Sequence, residues 1–316
     1  MKIIFVVNPK AGKGTGIDKL KDEISLVSRK VGIPAGFYLT KGIGDAEAFA
    51  RVASSEAFSK EEEIRFIACG GDGTINEVIN GAAGFGNAAV GAMPIGTGND
   101  FVRNFPDAGD FMDIEAQIKG EAIKVDLLKY EGVMDGSFQH RYCANMFNIG
   151  FDCNVVDLTA KLKKYPLLKG SIAYLAAVAG ILVKKKGANL KIELDGETVH
   201  EGPVLLTALA NGSYCGGGVK SSPKASLRDG MMDVNIIYDV SRREFIGKFP
   251  AYSKGTHMEL SGIEKILYFK KCKKAVITPI EGVMRLCTDG EIVDAEEITM
   301  EVVPQAINFI LPKVLK

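Results

Sequence analysis

The stretch Gly70-Gly71-Asp72-Gly73-Thr74-Ile75-Asn76-Glu77 follows a run of buried-strand character and opens an amphipathic helical pattern. In an open α/β sheet this is where ligands bind. Glycines let the backbone come close to a phosphate, and the helix N-terminus supplies N–H donors. Asp72 is the odd member, because a carboxylate inside an anion site repels phosphate unless a divalent cation bridges the two. The loop therefore points to a Mg²⁺-nucleotide. A plainer reading stands beside it, in which Thr74 and Glu77 form a T-x-x-E capping box and the glycines make a turn. The two readings are compatible.

A second loop of the same kind, Gly96-Thr97-Gly98-Asn99-Asp100, follows the next strand pattern. A third, Asn8-Pro9-Lys10-Ala11-Gly12-Lys13-Gly14-Thr15-Gly16, ends the first strand and adds a cation at Lys13. Gly-rich, Asp-bearing loops on neighbouring strands could converge on one ligand. None of them is a Walker A loop, since Lys13 is followed by Gly14 and not by Ser or Thr, and no G-x-G-x-x-G follows a strand.

The elements that must hold these loops are read from the apolar pattern. Strands are expected at Ile3–Val7, Ile33–Leu39, Ile64–Cys69 and Ala89–Met93. Helices are expected at Ile17–Lys30, Asp45–Ser55 and Thr74–Ala82, the last with Ile75, Val78, Ile79 and Ala82 on one face. This alternation predicts a doubly wound α/β domain over residues 1–128. From 129 to 316 the texture turns to strand pairs punctuated by Asp-Gly at 135–136, 195–196, 229–230 and 289–290, each a hairpin or tight-turn signal. This predicts a β-rich antiparallel second domain, with a cleft between the two and with residues 295–316 expected to pack back on the first. Two helical patterns meet around Tyr165-Pro166.

Composition narrows the function classes. The chain has 316 residues with 39 basic and 39 acidic side chains, so no clustered basic excess argues for nucleic acid. Six cysteines without a C-x-x-C pair and three scattered histidines make a disulfide framework or a zinc site improbable. The apolar run after Met1 is too short for a signal peptide and reads as a core strand, so a cytoplasmic protein is expected. The one span-like segment, 167–183, falls short of the roughly 20 residues a membrane helix needs and contains Lys169. It is expected to be a buried or membrane-touching helix.

Taken in order, Asn8-Pro-x-x-Gly12, Gly70-Gly-Asp-Gly-Thr74 with Asn76-Glu77, Gly96-Thr-Gly-Asn-Asp100, Asn211-Gly212 with Gly216-Gly-Gly218, and Asp289-Gly-Glu291 resemble the diacylglycerol kinase catalytic-domain family, which includes bacterial soluble diacylglycerol kinases, YegS-like lipid kinases and sphingosine kinases. Gly-Gly-Asp-Gly-Thr alone also looks like NAD kinases and phosphofructokinase relatives. The resemblance implies an NAD kinase-like α/β domain joined to a β-rich domain, ATP and Mg²⁺ as cofactors, and transfer of the γ-phosphate to a lipid hydroxyl, diacylglycerol first. A soluble acceptor such as NAD, another lipid acceptor such as a sphingoid base or phosphatidylglycerol, and a binding regulator without turnover stand as alternatives.

By the same resemblance the nucleotide is held by Asn8, Pro9, Lys10, Gly12 and Lys13, by Thr40, by Gly70, Gly71, Asp72, Gly73, Thr74, Asn76 and Glu77, and by Gly96, Thr97, Gly98 and Asn99. Asp72 and Asp100 would sit at the active-site metal. Asp289 matches the general base, with Glu291 as the second choice because it lies on the same strand face. The Ser226–Met231 loop resembles one that holds a structural Mg²⁺ through Asp229 and the Ser226 and Met231 carbonyls, with Asp126 linking it to the active site; a simple β-turn is the competing reading. The resemblance also suggests a homodimer, as for some relatives. A lipid kinase without a span must meet its substrate at a membrane surface, and the basic clusters Lys161, Lys163, Lys164 and Lys169, Lys184–Lys186, and Lys270, Lys271, Lys273 and Lys274 are candidates for anionic headgroups.

Overall fold

The computed structural model describes residues 1–12, 16–106, 108–151, 153 and 187–313. Lys13, the apolar 167–183 segment and the lysine clusters at 161–169 and 184–186 lie outside these residues. Contacts divide the chain into one unit of Met1–Asp126 with Gln305–Lys316 and a second of Leu127–Pro304.

The first unit is built on β1 (Lys2–Val7), β2 (Ala35–Leu39), β3 (Ile64–Gly70) and β4 (Ala88–Pro94), all parallel, in the spatial order β4-β3-β1-β2. The C-terminal end of β14 (Glu291–Leu311) adds a parallel strand at the β4 edge, with Asn308 opposite Ala89 and Phe309 opposite Val90. Successive side chains of a strand point to opposite faces, so a sheet buried on both sides reads as a continuous apolar run. Ile3, Phe5 and Val7 of β1 join Ile24 of α1 (Ile17–Val31) and Ile114 and Ile118 of α4 (Ile114–Ile118) in one core cluster. On the opposite face, Phe66 of β3 meets Phe49 of α2 (Asp45–Ser59) edge-on at 6.4 Å. Each such buried side chain contributes roughly 1.5–3 kcal/mol. Helices on both faces of a parallel sheet make this the expected doubly wound domain.

Among the boundaries that differ from the expected ones, two have identifiable reasons. β2 starts at Ala35 because Ile33 completes the end of α1: Gly32 turns left-handed at φ 70 and the Ile33 N–H donates to the Ser28 carbonyl at 3.2 Å. Helix α3 (Asp72–Ala82) starts two residues before Thr74, with Gly71 as its N-cap. It packs tightly on α2, since a Cβ on Gly81 would lie 2.4 Å from the Glu47 carbonyl oxygen.

The second unit is antiparallel. Three of the four Asp-Gly pairs are two-residue hairpins with both residues at positive φ, as the twist of paired strands favours. They join β5 (Glu121–Met134) to β6 (Ser137–Cys143), β8 (Ala188–Leu194) to β9 (Glu197–Ala210), and β13 (Met284–Thr288) to β14. The fourth is no hairpin: only Gly230 is left-handed, and the Met231 N–H donates to the Asp229 side chain in a turn leading into β10 (Met232–Tyr238). Strand β7 (Met146–Gly150) pairs with β9 and β13, β10 with β9 and β11 (Leu267–Cys272), and β12 (Lys274–Pro279) with β8 and β14. A helix, α5 (Arg242–Lys254), is capped by Ser241, whose hydroxyl accepts from the Glu244 N–H.

Candidate active site

In the first unit the parallel register brings the carboxyl ends of four strands side by side. The Asn8 N–H donates to the Cys69 carbonyl, Thr40 to Val7 and Gly96 to Gly70, so the loops after β1, β2, β3 and β4 are laced together through backbone alone. Their glycines are required by this closeness. A Cβ on Gly96 would stand 2.4 Å from the Gly71 Cα, one on Gly70 would fall 2.2 Å from the Thr74 hydroxyl, and one on Gly12 would meet the Ile95 carbonyl at 2.9 Å. Asn8 ties loop to helix: its Nδ2 donates to the Thr74 hydroxyl at 3.3 Å while its Oδ1 accepts from the Lys10 N–H. Asn8, Pro9, Lys10, Thr40, Lys41, Gly42, Ile43, Ala46, Thr74 and Glu77 line one open cleft. Asn99 sits at φ 59 with its amide donating to the Pro94 and Gly96 carbonyls, and so shapes its loop. Gly73 and Asn76 lie in the first turns of α3, and Thr97 is exposed at the tip of its loop.

The capping-box reading of Thr74 and Glu77 is corrected. Thr74 is the third residue of α3, and Glu77 caps a different helix: its carboxylate accepts from the Gly44 and Ala46 N–H groups at 3.0 and 3.1 Å. A negative charge at the N-terminus of α2 is favourable on its own account, and it fixes α2 and the Thr40–Gly44 turn to α3.

Asp72 and Asp100 converge. A Cβ on Gly98 would lie 2.9 Å from Oδ2 of Asp72 and 3.7 Å from Oδ2 of Asp100. The other Asp72 oxygen accepts from the Phe101 N–H at 3.0 Å, and Arg103 stands 3.6 Å from Oδ1 of the buried Asp100. Among the described residues no cluster of three or more His, Cys, Asp or Glu could enclose a metal unaided. An all-oxygen pair beside glycine-rich loops is nevertheless the donor set that suits Mg²⁺, which is commonly held by one or two carboxylates completed by substrate phosphates and water. The residues present fit the ion.

In the second unit Asp289 occupies the first turn position of the β13–β14 hairpin at φ 46. Four consecutive residues donate to it. The Ala144 N–H reaches Oδ2 at 2.8 Å, while the Asn145 and Met146 N–H groups and the Cys143 thiol reach Oδ1 at 3.0, 3.1 and 3.2 Å. Burial raises its pKa above the usual carboxylate value, with the Ala144, Cys143, Met146 and Asn145 hydrogen bonds pulling the other way. Asn211, from a glycine-rich motif of the sequence, supports this nest from behind: its N–H donates to the Asn145 carbonyl and its side chain to the Ala144 carbonyl at 2.8 Å. Asn145 in turn donates to the Tyr214 carbonyl. The nest residues 143–146 carry no sequence signal, because three of their four donors are backbone N–H groups. Glu291 is exposed at the start of β14.

Around Asp229 the structure gathers Lys271, read in the sequence as a headgroup lysine, and Asp233. Lys271 donates to Asp229 at 2.7 Å, lies 2.8 Å from the buried Asp233 and also reaches the Lys224 carbonyl at 3.1 Å. The Ser226 hydroxyl accepts from the Arg228 N–H. An ammonium already meets the Asp229 charge there. Asp126, in the first unit, is buried and accepts from the Gln305 N–H at 2.7 Å. The run Lys270–Lys274 is largely ion-paired, Lys270 with Glu197, Lys271 as above and Lys274 with Glu301, which weakens its reading as a headgroup patch.

Comparison with known proteins bears on the family and the fold. Residues 2–130 match the diacylglycerol kinase catalytic domain, and residues 145–311 match the YegS C-terminal NAD kinase beta sandwich-like domain. A diacylglycerol kinase of Staphylococcus aureus (strain bovine RF122 / ET3-1) is 32% identical over 290 residues, 91% of this chain and 85% of its own. That of Staphylococcus carnosus (strain TM300) is 30% identical over 290 residues, 91% and 87%. A solved diacylglycerol kinase structure from Bacillus anthracis str. Sterne shares the fold at a TM-score of 0.66 with 21% identity, covering 98% of this chain and 96% of that one.

Proposed function

This chain belongs to the diacylglycerol kinase catalytic-domain family and is a lipid kinase, and on that premise we propose that it transfers the γ-phosphoryl group of ATP, as its Mg²⁺ complex, to the free hydroxyl of diacylglycerol, giving phosphatidic acid. The observation that carries the nucleotide half is the meeting of the Asp72 and Asp100 carboxylates at Gly98, at the head of interlaced glycine loops. Mg²⁺ held there would neutralise charge on the phosphate oxygens. Phosphoryl transfer has little covalent chemistry for a protein to perform beyond such neutralisation, alignment and removal of the acceptor proton. The Asn8, Gly70–Thr74 and Gly96–Asn99 loops align the phosphates, and Asp289, made more basic by its burial, takes the hydroxyl proton. The acceptor is met at a membrane surface. No helix among the described residues is long and apolar enough to cross a bilayer.

The test is incubation with labelled ATP and Mg²⁺ against mixed micelles of diacylglycerol, phosphatidylglycerol or sphingosine, with NAD as a soluble acceptor and EDTA as the metal-free arm. Labelled phosphatidic acid, abolished by EDTA, is expected. Label in NADP alone, or in a different lipid alone, overturns the acceptor assignment. Asp289→Asn and Glu291→Gln are run beside it with their melting temperatures. A normally melting Glu291→Gln that loses kcat, with an active Asp289→Asn, would move the base to Glu291.

A further inference from the structure

We propose that Cys143 is a positioning residue for Asp289, its thiol acting as a fourth donor that holds Oδ1 and orients the carboxylate for proton abstraction. The inference rests on the reading of Asp289 as the base. Three of the four donors are backbone N–H groups and come with any sequence that makes the turn; the Cys143 thiol is the one among them supplied by a side chain.

The direction of this contact is settled by chemistry. An ionised carboxylate has no proton to give, so at 3.2 Å the proton must come from sulfur. Cys143 is fully buried, and burial together with the neighbouring Asp289 charge keeps it a thiol rather than a thiolate at any working pH. It is therefore a permanent donor and a poor nucleophile, a pairing in which geometry and not reactivity gives the sulfur its role. Position supports this. Cys143 ends β6 opposite Leu128 of β5, with its side chain in the sandwich core, while the chain directly after it turns its N–H groups toward the same carboxylate. Titratable or charged groups near Asp289 include Tyr130 of β5, Arg141 of β6, Cys287 of β13 and Glu291 of β14. Tyr130 is pushed by burial well above its ordinary value, so it does not change charge while Asp289 titrates.

A donor favours the ionised carboxylate, so its removal makes Asp289 harder to ionise. The acid limb of the kcat/KM–pH profile, measured on diacylglycerol micelles, should move up by about 0.5–1 pH unit in Cys143→Ala, a roughly three- to tenfold loss below the limb with little change above it. Cys143→Ser, which keeps a donor, should restore the limb. The infrared S–H stretch isolated by subtracting the Cys143→Ser spectrum reads the contact without turnover, and it should shift to higher frequency when Asp289→Asn is introduced. An unmoved acid limb in Cys143→Ala, or an S–H band indifferent to Asp289→Asn, overturns the proposal while leaving Asp289 as base. If Asp289→Asn retains full activity, the base assignment itself falls. Should Cys143→Ala fail to fold, the infrared comparison still decides the contact.

Discussion

Replacing Gly98 by alanine isolates the carboxylate pair. The added Cβ would lie 2.9 Å from Oδ2 of Asp72, where an ordinary contact is 3.4 Å or more, and 3.7 Å from Oδ2 of Asp100. Asp72 must therefore retreat by about half an ångström. Its backbone is fixed at the start of α3 and its Oδ1 is held by the Phe101 N–H, so the movement falls on the oxygen facing Gly98. Gly98 is not among the glycines with positive φ, so alanine brings no backbone strain of its own. A misplacement of this order in a phosphoryl-transfer site costs on the order of 10- to 100-fold in rate. We expect kcat/KM for MgATP to fall by that factor, and the Mg²⁺ concentration for half-maximal activity to rise, with a melting temperature close to wild type. Gly86→Ala, where a Cβ meets nothing within 4 Å, is the control and should be silent. A Gly98→Ala variant that keeps more than half of the wild-type kcat/KM would mean that Asp72 and Asp100 do not act on the reacting phosphates.

The same structure sets two further outcomes. Glu77→Ala removes the acceptor of two N–H groups at the start of α2 and should lower unfolding stability by about 1–2 kcal/mol in a urea titration; an unchanged midpoint would mean that water satisfies those groups equally well. His257 is buried, which lowers its pKa from 6.5 to about 4. The unfolded chain therefore takes up a proton that the folded one refuses, and stability is lost as pH falls from about 6.5 toward about 4, by up to about 3 kcal/mol. His257→Phe should flatten this part of the stability–pH curve, and a curve as steep as wild type would exclude His257 as its source.

The glycine-rich loops were legible in the sequence because their backbone geometry is local. A run such as Gly70-Gly-Asp-Gly-Thr74 between a strand and a helix reports its own turn and helix start. The hairpins at Asp135-Gly136, Asp195-Gly196 and Asp289-Gly290 were equally readable, since a two-residue turn with positive φ at both positions leaves few residue choices. Asp229-Gly230 has the same two letters and a different turn, because it leads into β10, whose partners are the distant strands β9 and β11 and not the segment just before the turn.

Periodicity and turn chemistry, which act over a few residues, specify the class of each half and the glycine-rich loops at the strand ends of the first. Only the tertiary structure decided which groups serve which. Glu77, spaced to cap its own helix, caps α2 because the two helices pack against each other where Gly81 leaves room. Cys143–Met146, unremarkable as letters, become a four-donor nest because β6 and β7 bring them to a hairpin some 145 residues further along the chain. Lys271, one of several adjacent lysines, faces Asp229 and Asp233 because the antiparallel register sets it directly opposite Asp233. Hydrogen bonds and charge pairs act through space over a few ångströms, and which residues come within that range is set by strand register and helix packing.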